Sequence, residues 1–127
     1  MTATSSILLY LGGGIMAVWG IAHILPTRGV VRRFGSISED NRRIITMEWV
    51  AEGLALCFLG LLVVLVTAFS PAGDPTARLV VRAVAAMALV LGGWTFVIGF
   101  KTSDLPIKLC PLVMAVAAVL LVWGSAL

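Results

Sequence analysis

Four apolar stretches dominate this chain, at about residues 7–25, 44–69, 77–100 and 109–127, and each approaches or exceeds the roughly 20 helical residues that cross bilayer hydrocarbon. Lipid satisfies no backbone hydrogen bond, so a spanning segment must be a helix or part of a closed barrel. Barrel strands alternate apolar and polar residues over about 10 positions, and the run from Leu54 to Phe69 shows no such alternation. Helices remain. The composition agrees: 61% of residues are hydrophobic and 12% charged, against roughly one quarter charged in soluble domains. With short connections between the spans, the expected fold is all-α: one transmembrane domain, an up-down-up-down four-helix bundle.

Local signals set the expected boundaries. Met1 to Ser6 carries no basic residue, and no small-residue cleavage site ends the first apolar run, so that run reads as a retained span and not a removed signal. It contains Gly12, Gly13, Gly14, Ala17 and Gly20 and ends at Pro26; the Gly13-xxx-Ala17 pair is a candidate seam for close helix contact. Ser36 followed by Glu39 fits a capping box opening the second helix, which would protrude on its arginine side before entering hydrocarbon near Ile44. Ser70-Pro71-Ala72-Gly73 breaks that helix, and Asp74-Pro75 reads as an N-cap with proline at the first helical position. Pro111 is expected in the first turn of the last span.

The formal net charge is +3, but the basic residues sit between the spans, where they set topology; nucleic acid is not an expected partner. The first and third connections hold Arg28, Arg32, Arg33, Arg42, Arg43, Lys101 and Lys108, whereas the second and its flank hold Arg78 and Arg82. The positive-inside rule then puts the first group in the cytoplasm and both termini outside. Cys57 and Cys110 lack CxxC spacing and read as small apolar filler.

Ionisable residues inside spans cost about 2.5–3.5 kcal/mol at a helix centre, and His23, Glu48, Glu52 and Arg82 are the ones to explain. The long stem of Arg82 can snorkel to the headgroups. Carboxylates reach less far, and Glu52 lies about 12 Å along the helix from Ile44. Its i, i+4 spacing puts Glu48 on the same face, which continues through Leu59 and through Ala55, small enough to press against another helix. His23, Trp94, Thr95, Lys101, Lys108 and Cys110 fall at the same level, so polar groups gather in the cytoplasmic third, and the outer two-thirds are expected to be nearly pure hydrocarbon.

Two readings of this patch are open. In one, Glu48 or Glu52 pairs with His23, Lys101 or a loop arginine and fixes helix order. In the other, Glu48, Glu52 and His23 hold or protonate the polar head of a lipophilic small molecule, with Trp19, Trp49, Trp94, Thr95, Lys101 and Cys110 as further ligand-binding residues. His23, Glu48 and Glu52 are chemically suitable for Zn, Mn or Fe, but Glu-x-x-x-Glu with one distant His is not a metal signature, and no metal is expected. One His cannot supply two axial haem ligands within a protomer.

The chain resembles the DoxX-like group of small four-span bacterial membrane proteins. The likeness lies in a first span ending Gly-Ile-Ala-His-Ile-Leu-Pro, a basic connection, a second span opening Met-Glu-Trp-Val-Ala-Glu-Gly, and the late turn Lys-Thr-Ser-Asp-Leu-Pro-Ile-Lys-Leu-Cys-Pro. The resemblance implies a multi-pass protein of the bacterial inner membrane with a lipophilic redox partner such as a quinone. It supplies no catalytic signature, and whether the chain is an enzyme stays open. Two other functions compete: an accessory subunit docking through Ala85, Ala88 and Gly92 onto a larger complex or its own copies, and a dimeric proton-coupled transporter using the carboxylates as relay.

Overall fold

The computed structural model describes residues 2–103 and 105–127 and resolves them into five helices: α1 (Ala3–Ile24), α2 (Thr27–Arg33), α3 (Glu39–Phe69), α4 (Pro75–Gly99) and α5 (Leu105–Ala126). Met1 and Asp104, the latter in the third connection, lie outside the described residues. Four of the helices are long and apolar enough to cross a membrane, so the chain is an all-α, multi-pass membrane protein.

Each helix start has a local cause. Thr2 caps α1 by accepting from the Ser5 amide, and Asp74 caps α4 by accepting from the Thr76 amide with Pro75 at the first position. At α3 the cap is Ser38, which accepts from the Asn41 amide at 3.2 Å, and not Ser36. Gly35, at φ +69°, turns the chain before both serines, and the helix begins at Glu39, behind Ser38. Helix α5 begins at Leu105, which places Pro106 in the first turn and Pro111 inside the helix. Pro111 therefore leaves the Ile107 carbonyl without its helical donor.

Helix α2 was not expected. It occupies the basic connection with Val31 buried and Arg28 and Arg32 exposed, an amphipathic turn that lays its apolar side on α3.

Helix α1 is central: it packs along both α3 and α5, α5 in turn packs along α4, and the α3–α4 seam is the loosest between neighbouring spans. Lipid offers no hydrophobic drive between helices, so close van der Waals approach at small residues must hold them. Gly13, Ala17 and Gly20 of α1 cross Gly53, Cys57 and Gly60 of α3, with a Cβ on Gly20 falling 2.6 Å from the Gly53 carbonyl oxygen. The Cys57 thiol donates to the Ala17 carbonyl at 3.5 Å across the same crossing. Ala55, on the other hand, is exposed; α3 meets α1 through Gly53 and Gly60 instead. Met16, Leu56, Val63, Met114 and Leu121 fill the centre.

Ala85, Ala88 and Gly92 are buried within the chain, Gly92 directly against Met114 of α5. The seam on which a docked partner was to sit is thus occupied by the protein's own last helix.

The terminal end of the bundle is more polar than expected. Ser5 donates to the Gly124 carbonyl at 2.6 Å, joining α1 to α5, and Arg82 Nε donates to Ser125 Oγ at 3.4 Å, joining α4 to α5. Arg82 thus has a protein partner as well as an exposed side. Ser5→Ala is expected to lower stability by about 0.5–1.5 kcal/mol, the range of interhelical hydrogen bonds in membranes. The denaturation midpoint in mixed detergent micelles would report it, and an unchanged midpoint would show that the Ser5 bond does not hold the helices.

Candidate functional site

At the basic end the helices separate around a cavity of about 560 Å³ walled by all five of them. The splay follows from the small-residue seams. The small-residue α1–α3 crossing runs from Gly13/Gly60 to Gly20/Gly53, after which the larger Ile24 side chain and the Trp49–His23 stack make the contact, and between α4 and α5 Gly99 meets Ile107 at the cavity's edge. Bulky indoles line the space: Trp19, Trp49 and Trp94.

His23 is the centre of the polar lining. Its ring stacks on Trp49 at 4.1 Å between centroids and 13° between planes. Trp49 also donates its indole N–H to the His23 backbone carbonyl at 2.7 Å, so one side chain holds both the backbone and the ring of the histidine. His23 Nε2 lies 3.4 Å from Glu52 Oε2, with the imidazole 11% exposed and the carboxylate 38% exposed. That separation is an ion-pair distance, but its direction makes no hydrogen bond: Nε2 is buried without a hydrogen-bond partner. Trp19 Nε1 is also buried without a hydrogen bond, and the Cys110 thiol is the polar group beside it. Buried polar atoms are almost always satisfied, so two orphans in one cavity mark a place where something polar fits.

Cys110 is buried, with Trp19, Thr95 and Glu52 as its polar neighbours. Thr95 turns its hydroxyl to the Leu91 carbonyl at 2.7 Å, and Thr102 does the same to Gly99 at 2.7 Å, so both walls are satisfied without a ligand.

Of the candidate residues, His23, Glu52, Trp19, Trp49, Trp94, Thr95 and Cys110 line one space. Glu48 and Lys101 stand apart: both are exposed and neither lines it. Glu48 shares a helix face with Glu52, but Glu48 is exposed outside the cavity and Glu52, one turn on, is half-buried in its wall. Among the described residues no group of three His, Cys, Asp or Glu side chains gathers as a metal site, so the set His23, Glu48 and Glu52 is not assembled. Sequence reasoning missed Arg33, Thr102 and the apolar wall of Ile98, Leu105 and Leu109. Arg33 is brought in by α2, whose signal was the inward spacing of Thr27 and Val31 against Arg28 and Arg32.

Trp49→Phe keeps a ring on His23 and removes the indole donor. A loss of about 1 kcal/mol in stability is expected, the usual net value of one such bond; no change in the unfolding midpoint would show that the stack alone orients His23.

No family model, curated protein or solved structure matches the chain. The site must be read from its own chemistry.

Proposed function

We propose that the cavity binds the polar head of a lipophilic small molecule, a quinone being the type that fits best, with His23 and Glu52 as the groups that hold its oxygen and exchange a proton with it. The single observation that carries this is the pair of buried polar atoms without a hydrogen bond, Trp19 Nε1 and His23 Nε2, beside Glu52 in a space whose wall is mostly apolar. A carbonyl oxygen accepts from an indole N–H and from a protonated imidazole, while Glu52 compensates the imidazolium. The volume of about 560 Å³ lies in the roughly 300–1,000 Å³ range of small-molecule sites. Resemblance to the DoxX-like group supports a quinone-type partner, and on the positive-inside rule the cavity opens at the cytoplasmic side of a bacterial inner membrane, with both termini outside.

The test is a titration of the full chain in lipid nanodiscs with a benzoquinone bearing a short alkyl tail, read by quenching of tryptophan emission. Three of the four tryptophans line the cavity, so saturable quenching at one probe per chain is expected. Quenching that rises linearly with probe, without saturation, would overturn the proposal.

A further inference from the structure

We infer that the ligand is an amphiphile held by its head alone, whose long hydrocarbon tail stays among the lipid acyl chains while the protein binds it. This deepens the binding reading above and rests on it. The first reason is the distribution of exposure over the cavity wall. The deepest polar groups are Cys110, 5% exposed, and the His23 side chain, 11%, with the Glu52 carboxylate shallower at 38%. The exposed wall is apolar: Trp94 is 68% exposed, Leu105 65%, Ile98 56% and Leu109 40%. Arg33 is the one polar side chain among the exposed described lining residues. A site entered from water carries polar groups at its rim, so this polarity gradient is inverted and fits a ligand with a polar head and an apolar remainder.

The second reason is depth. After Trp94, helix α4 continues with exposed Phe96, Val97, Ile98 and Phe100, so its surface is hydrocarbon to the end. Glu52 lies about 12 Å along α3 from Ile44. On that reading Trp94 and Ile98 stand level with acyl chains, while Leu105 and Leu109 flank the exposed Lys108 nearer the headgroups. The third is packing: α3 and α4, which contribute Glu52, Trp49 and Trp94, meet along the loosest seam in the bundle, and no close small-residue contact seals that flank. A head that enters between them leaves its tail outside.

The experiment uses one benzoquinone head carrying one to eight isoprene units, titrated against the full chain in nanodiscs by the saturable part of tryptophan quenching. Affinity is expressed per mole fraction of probe in the bilayer, from partitioning measured with protein-free discs. If the tail remains in lipid, its transfer free energy is the same bound and free. Bilayer-referenced affinity then stays within about threefold across the series, while water-referenced affinity climbs by about fourfold for each added methylene equivalent. A collapse of bilayer-referenced affinity once the tail outgrows the cavity overturns the inference, because the tail would then have to leave the lipid; the short-tailed probes would still bind, and the site reading would stand. Failure of every probe, short ones included, removes the site and this inference with it.

Discussion

Replacing Gly60 with leucine is expected to destabilise the folded chain by about 3 kcal/mol or more, at the upper end of overpacking effects. A Cβ at that position would overlap the Gly13 carbonyl oxygen and fall 2.5 Å from the Ala17 amide nitrogen and 3.0 Å from its Cα. All three are backbone atoms, and backbone cannot swing aside as a side-chain tip can. Relief requires α1 and α3 to separate, which removes the Cys57–Ala17 contact and the close approach at Gly20 and Gly53 along with the clash. Helix association in lipid depends on such packing, so the loss spreads along the whole seam. Gly14 supplies the comparison, since nothing lies within 4 Å of a Cβ built there. Gly14→Ala should be neutral or stabilising by up to about 1 kcal/mol, from the better helix propensity of alanine. Unfolding midpoints in mixed micelles would separate the two. Equal midpoints for Gly60→Leu and Gly14→Ala would mean that the helices do not cross at Gly60.

That contrast marks where sequence reading ends. The four spans were legible because lipid admits so few spanning structures that hydropathy and length suffice. The seam was legible in part. Gly12, Gly13 and Gly14 look alike in the sequence, yet successive residues point about 100° apart on a helix, and each meets a different fate: Gly12 faces Leu121, Gly13 faces Gly60 and Gly14 faces no protein. Only the identity of the neighbours tells them apart, and hydropathy says nothing about which helices are neighbours. Nor could it show that α1 lies between α3 and α5 while the consecutive helices α3 and α4 barely touch.

The turns failed for smaller reasons. Ser36 and Ser38 are both good caps that follow the left-handed Gly35, and the structure uses the second. Pro111 was expected in the first turn, and the earlier start of α5 gives that place to Pro106. Helix α2 is only seven residues long; so short an element has too little periodicity to stand out from a basic loop.

Glu52→Gln is expected to weaken binding of a quinone-headed probe by about 10- to 100-fold, whereas Glu48→Gln should leave it within about twofold. A hydrogen bond to a charged group carries roughly 1.5–3 kcal/mol, and about 1.4 kcal/mol is a factor of ten in affinity. The two carboxylates are chemically identical and share a helix face, so nothing in the sequence ranks one above the other. The structure does: Glu52 Oε2 sits 3.4 Å from His23 Nε2 in the cavity wall, and Glu48 is exposed outside it. Glutamine keeps the size of the side chain but removes the negative charge beside His23, leaving the ligand's polar head one charged partner fewer in a largely apolar space. His23→Gln should then lose affinity by a similar factor, and the double variant by little more than either single one, since both changes dismantle one unit. Additive losses in the double variant would mean that the two residues act separately, and a full loss in Glu48→Gln would move the site from the cavity to the helix surface.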